Sequence, residues 1–219
     1  MPAIFKPKHN AIFRLVLIGI AGFLLLGGGL ETAIYWSSYV TGTNLAEAQP
    51  IPFSHKHHVG ELGLDCRYCH TSVEKAASAG MPSTHTCMTC HSIIWQNSPV
   101  LAPVRDSYKN QIPISWNRIY RLPDYVYFNH SIHVGKGMGC TSCHGRIDQM
   151  PITWKHEAFY MRQCLACHRN PEKNIRPVDQ VFNMKWQAPQ DQDHLGMTLL
   201  EKYKIPNQQR LTDCTTCHR

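Results

Sequence analysis

All ten cysteines of this 219-residue chain fall in one pattern, Cys-x-x-Cys-His, and none is left over. The copies are Cys66-Arg67-Tyr68-Cys69-His70, Cys87-Met88-Thr89-Cys90-His91, Cys140-Thr141-Ser142-Cys143-His144, Cys164-Leu165-Ala166-Cys167-His168 and Cys214-Thr215-Thr216-Cys217-His218. This is the pattern of c-type haem attachment, in which two thiols form thioethers with the porphyrin and the adjacent histidine ligates its iron. Zinc sites also use Cys-x-x-Cys pairs, but their chemistry does not demand a histidine directly after every pair. Disulfide frameworks do not keep one spacing throughout, and a thioredoxin-like motif needs a flanking strand and helix that the sequence does not show. Five covalently attached haem c groups, each with its iron, are expected.

A longer repeat is built around two of these sites. Phe53-Ser54-His55-Lys56-His57-His58-Val59-Gly60 precedes the first, and Phe128-Asn129-His130-Ser131-Ile132-His133-Val134-Gly135 precedes the third. Two histidines three residues apart cannot both reach one iron, so each unit is expected to serve two haems. His70, His91, His144, His168 and His218 are then the proximal ligands, with His55, His58, His130 and His133 as distal ligands, since neutral imidazole suits iron. One distal position remains. Met150 is the favoured residue, and Met161, His85, His156 and His194 are the others; Met81 and Met197 are weaker. A thioether ligand raises the reduction potential of its haem relative to bis-histidine sites.

The residues before the first unit form a different kind of segment. Leu15 to Leu30 is uninterrupted apolar residue or glycine, long enough with its flanks to span a bilayer. Lys6, Lys8 and Arg14 stand on one side, and Glu31, Tyr35, Trp36 and Tyr39 on the other. The positive-inside rule places the N-terminus in the cytoplasm and the remainder in the periplasm, with the aromatics at the interface. Ala46-Glu47-Ala48 resembles a signal-peptide cleavage site, but it lies too far beyond the apolar run. An uncleaved single-pass anchor is expected in a bacterial cytoplasmic membrane.

About 175 residues are left to hold five haems, about 35 for each, which is little protein for a conventional core. The expected fold is mainly α with much coil: a transmembrane helix, then a small haem-packed periplasmic domain of short helices and loops. The expected organisation is 1–43 tail and anchor, 44–125 two-haem module and crossing segment, and 126–219 three-haem module. Thr41 to Pro52 reads as a linker, residues 176–190 as a polar loop, and Leu195 to Lys204 as a helix. Between residues 92 and 127, Pro99, Pro103 and Pro113 break any long helix. The net charge of +7 carries little information about partners. Five haems bring roughly −5 when ferric and roughly −10 when ferrous through their propionates. No nucleic-acid motif accompanies the charge, and no nucleic-acid partner is expected.

The repeated Phe-x-His-x-x-His ahead of Cys-x-x-Cys-His resembles the small tri- and tetrahaem periplasmic cytochromes, in which such histidines ligate neighbouring haems. A wider likeness covers essentially the whole chain. The N-terminal anchor, the five attachment motifs, Pro123-Asp124-Tyr125-Val126-Tyr127-Phe128-Asn129-His130, Cys143-His144-Gly145-Arg146 with Met150 beyond, and the terminal Asp213-Cys214-Thr215-Thr216-Cys217-His218-Arg219 are similar to the pentahaem subunit of alternative complex III. That resemblance implies an electron-transfer subunit of a respiratory or photosynthetic quinol-oxidising complex. Its partners would be an iron–sulfur subunit and polytopic membrane subunits, and its acceptor a monohaem cytochrome c or another soluble carrier. It also implies a methionine ligand at one haem. No catalytic residue is expected in this chain.

Two other functions compete. A multihaem reductase needs an open iron, which abundant distal ligands argue against. A self-sufficient anchored quinol dehydrogenase, passing electrons to a periplasmic reductase, requires only the single helix and ionisable Glu31 near a haem.

Overall fold

The structure, a computed structural model, describes residues 6–218; residues 1–5 and Arg219, which closes the terminal run quoted above, lie outside it. The chain divides into two compact units, Met1–Thr43 and Asn44–Arg219.

The first unit is dominated by one 29-residue helix, Pro7–Tyr35. Proline at its start loses nothing, because the first turn has no partner for that N–H. The stretch Lys8–Tyr35 is apolar enough to cross a membrane, with mean hydropathy 2.2, and it is exposed along its length. Thr32 Oγ1 returns its proton to the Gly28 carbonyl at 2.7 Å, so its hydroxyl is satisfied within the helix. A shallow hollow lined by Gly27, Leu30, Glu31, Ile34, Tyr35 and Val40 lies at the C-terminal end. The short helix Ser38–Thr41 follows and ends on Gly42 in the left-handed region.

The second unit is helical with coil and, among the described residues, contains no strand; its isolated β-bridges join Ala46 with Trp154, Val126 with His218 and Met138 with Ile175. Each attachment motif sits on a helical turn: Cys66–Cys69, Thr84–His91, Thr141–His144, Met161–Arg169 and Cys214–Cys217. Three residues of helix bring both cysteines to one side with the histidine following. Two of these turns start from aspartate. Asp65 accepts from the Arg67 N–H and Asp213 from the Thr215 N–H, each at 2.8 Å, covering amides that a helix start leaves open.

Buried apolar side chains are few; Met150, Ile175, Met184 and Leu199 are among them, and six others gather in two small groups. Ile51, Leu101 and Val104 pack with Cys87, Met88, Ile114 and Trp116 around the second motif. Val73, Val134 and Val181 pack with Ala79, Cys140 and Phe182 between the first and third.

Between residues 92 and 127 the prolines leave room for one short helix, Ala102–Asn110, with Pro103 in its first turn, where a missing N–H costs nothing. Two segments differ from the expectations above. The end of the expected linker is laid against the second unit: Ile51 is buried, Gln49 Nε2 donates to the Asn117 carbonyl at 2.9 Å, and Asn117 N donates back to Gln49 Oε1 at 3.0 Å. Residues 176–190 are not a solvated loop. Arg176, Val181 and Met184 are buried, and Arg176 is held by Thr141 Oγ1 at 2.9 Å and by the Trp186 ring at 4.3 Å. A polar average hid a small apolar set that packs inward. The expected C-terminal helix is present as Gln192–Lys202.

Candidate haem-ligand array

The histidines of the attachment motifs and of the two Phe-x-His-x-x-His units share one arrangement. In each except His144, Nδ1 is committed to an oxygen of the protein. His58 donates to the Ser54 carbonyl at 2.9 Å, His70 to Gly80 at 2.8 Å and His91 to Ile94 at 3.0 Å. His130 donates to Ala77 at 2.8 Å, His133 to Asn129 at 2.7 Å, His168 to Leu211 at 2.9 Å and His218 to Tyr125 at 3.2 Å. His55 Nδ1 pairs with Thr153 Oγ1 at 2.9 Å, a hydroxyl that can donate or accept. An imidazole so anchored has a fixed tautomer and leaves the Nε2 lone pair free, which is how metal-bound histidines are oriented from behind. His144 Nδ1 is buried without a hydrogen-bond partner, and its ring lies against the edge of Tyr120 at 4.4 Å.

Electrostatics favour the same form. Burial, with His70 and His58 adding to it, pushes His55 down to about 4. Burial among His130, His70 and His55 does the same to His144. His58 and His133 are lowered as well, mainly by burial. At neutral pH these rings are uncharged, the only state that can donate a lone pair to a metal.

The rings also meet in pairs. His58 and His91 centroids are 6.2 Å apart, His130 and His144 6.4 Å, and His133 and His168 6.3 Å. A first-row metal bound at about 2.0–2.1 Å by each of two imidazole nitrogens, with ring centres ~1.1 Å further back, sets the centroids about 6.3 Å apart. The separations match an iron between the rings. His55 and His70 are near enough for His70 to depress the basicity of His55.

One phenylalanine orients each unit. Phe53 stacks on His58 at 4.4 Å and meets the edge of His55 at 5.0 Å. Phe128 repeats this with His133 at 4.6 Å and His130 at 4.7 Å. The two rings of a unit are thereby turned away from each other, toward different proximal histidines. The units are not identical in backbone. The second is the α-helix His130–Gly135, capped by Asn129, whose side chain accepts from the Ser131 N–H at 2.9 Å. The first is a wider π-type turn, Lys56–Glu61.

His57, the extra histidine of the first unit, faces outward, with Nδ1 on Glu61 Oε2 at 2.9 Å and its ring parallel to Trp95. His85 is exposed and meets the edge of Tyr108 at 4.7 Å. His156 lies beside Gly145, at a positive φ of 64°, where a Cβ would strike its ring. His194 is exposed on the helix Gln192–Lys202.

The two methionines differ sharply. Met150 is 1% exposed, enclosed by protein, and its carbonyl accepts from the Lys56 N–H at 3.0 Å, which places it beside the first unit. Met161 is 56% exposed and opens the helix Met161–Arg169, which packs against Gln208–Leu211 just ahead of the fifth motif. The histidines of the attachment motifs and of the two Phe-x-His-x-x-His units, His57 apart, are all half-buried.

Among the described residues no group of three or more His, Cys, Asp or Glu side chains converges on a metal position, and the ten cysteines are free. The cysteine pairs are therefore not gathered into zinc sites. Free paired thiols on helical turns, anchored imidazoles and ring pairs at metal-bridging separation fit haem c. They define a multihaem c-type cytochrome.

Comparison with known proteins agrees. Residues 126–219 match the family model of cytochrome c7 and related cytochrome c. Across 165 residues the chain is 32% identical to the multihaem cytochrome c subunit of menaquinone reductase from Nitratidesulfovibrio vulgaris (strain Hildenborough), covering 65% of this chain and 79% of that protein. The chain belongs to the multihaem cytochrome c family that includes this subunit, a family that implies covalently bound haem c.

Proposed function

We propose that this chain is a membrane-anchored pentahaem electron-transfer subunit of a quinone-linked complex of the alternative complex III kind, carrying electrons from quinol oxidation to a periplasmic acceptor. The observation that carries the reading is the set of imidazole pairs at 6.2 to 6.4 Å, which leaves no open sixth position at those sites. Bound haem c supplies a one-electron iron couple, and closely spaced haems exchange electrons by outer-sphere hopping.

The chain's own residues hold, orient and insulate. The ten cysteines would form the thioethers. His91 with His58, His144 with His130, and His168 with His133 would hold three irons, His70 with His55 a fourth, and His218 the fifth. For its sixth ligand the exposure of Met161 and the packing of its helix favour Met161 over Met150. The helix Pro7–Tyr35 anchors the subunit, with the haem domain in the periplasm and an iron–sulfur subunit and polytopic subunits as neighbours.

The name of the N. vulgaris relative supports a second reading, with electrons running the other way into menaquinone. Mild detergent extraction of the native assembly decides between them. Quinol-dependent reduction of a soluble carrier, with an iron–sulfur subunit copurifying, supports the first. Menaquinone reduction without quinol oxidase activity supports the second, and a chain that comes out alone and oxidises quinol overturns both in favour of a self-sufficient dehydrogenase.

A further inference from the structure

We infer that the five attachment sites form one unbranched row in the order second, first, third, fourth, fifth, so that the second and fifth sites are its ends. The inference rests on the pentahaem reading and extends it to the path.

Each link in the row is a contact between named residues. The second and first sites are joined by Tyr68 Oη and Thr89 Oγ1, 2.8 Å apart, each from the middle of its own Cys-x-x-Cys turn. The first Phe-x-His-x-x-His unit reaches the second site, with His58 opposite His91. The first and third sites are joined across the Val73, Val134 and Val181 group, which includes Cys140. His130, opposite His144 of the third site, takes its Nδ1 partner from Ala77, in the segment that follows His70. The backbone N–H groups of His130 and Ser131 bond to the same segment, at Ala77 and Ala76.

The third and fourth sites are spanned by the second unit, whose two rings face His144 and His168. The fourth and fifth are joined where His168 donates to the Leu211 carbonyl, three residues ahead of Cys214. The helices Met161–Arg169 and Gln208–Leu211 pack together at this point.

The ends are distinguishable from the interior. Of the ten cysteines, the exposed ones are Cys90 and Cys214, in the second and fifth sites. The second motif otherwise packs against Ile51, Leu101 and Val104, away from the later motifs. The row is therefore not collinear with the sequence, because the chain lays down an interior site before an end.

The test is an experimental structure of the haem-loaded chain in its native complex, read as iron–iron separations, together with a pyridine haemochrome count of haem per chain. The expected result is that the shortest separations are second–first, first–third, third–fourth and fourth–fifth. A separation between the second and third irons shorter than that between the first and third, or a branch at any site, overturns the order while a count of five leaves the pentahaem reading standing. A count below five overturns that reading and the five-membered row with it.

Discussion

The imidazole planes of His58 and His91 are 66° apart across their 6.2 Å gap, whereas His130 and His144 are within 11° of parallel and His133 and His168 within 19°. The Nδ1 bonds to Ser54 and Ile94 and the stacked Phe53 hold the first pair crossed. Crossed axial planes leave the iron orbitals that mix with the imidazoles nearly degenerate, which makes the low-spin ferric signal strongly anisotropic. Electron paramagnetic resonance of the oxidised protein should show such a signal beside rhombic ones. It should vanish in His58→Ala, with one haem becoming high-spin. A spectrum of rhombic signals alone means that the crossed geometry is not kept at the second site.

Phe53 and Phe128 should matter for ligand orientation more than for bulk. Phe128→Leu removes a stacked contact with His133 worth about 0.5–1.5 kcal/mol beyond area burial. The expected outcome is a modest drop in Tm with broadened low-spin signals at the third and fourth sites. Sharp, unshifted spectra would show that the Nδ1 bonds alone fix the rings.

Met161 and Met150 should separate redox tuning from stability. Met161→Ala is expected to lower the highest potential in a spectroelectrochemical titration while changing Tm little, because the side chain is 56% exposed. Met150→Ala is expected to cost about 2–5 kcal/mol of stability by leaving a cavity, with the highest potential unmoved. The reverse pattern assigns the thioether to Met150.

The repeat also provides its own control for glycine. Gly60 lies against the Asp148 carbonyl, and a Cβ there would collide with backbone, whereas Gly135, its counterpart in the second unit, faces open space. Gly60→Ala should destabilise the domain by about 1–3 kcal/mol, as overpacking does. Gly135→Ala should stay within about 1 kcal/mol of the parent, set by helix propensity alone. Chemical denaturation of the haem-loaded variants measures both.

Withholding haem should cost the second unit its cooperative fold. Among the described residues its buried apolar side chains are the six of the two clusters with Met150, Ile175, Met184 and Leu199, few to offset the backbone entropy of so long a chain. Protein made without the haem-attachment machinery should be digested rapidly by trypsin beyond the N-terminal segment, and the haem-loaded protein slowly. Equal resistance of the two forms would place the stabilising core in the polypeptide.

Much of the site was legible because its signals are local. Cys-x-x-Cys-His fits one helical turn, and the histidines of Phe-x-His-x-x-His sit on neighbouring turns whose phenylalanine is two residues away. Less local features were missed. Val181 and Met184 sit in a stretch that averages polar, yet both are buried. The end of the expected linker is held by Asn117, far away in sequence.

The sequence by itself determined which residues can attach haem, that most of the chain must be short helix and coil, and that one segment is apolar enough for a bilayer. Each depends on chemistry within a few residues or on the simple sum of apolar side chains. Only the tertiary structure decided that His58 faces His91 while His133 faces His168, and that Leu211 and Ala77 supply the carbonyls behind His168 and His130. Those relations join residues dozens of positions apart, and their geometry exists only when the chain is folded back on itself.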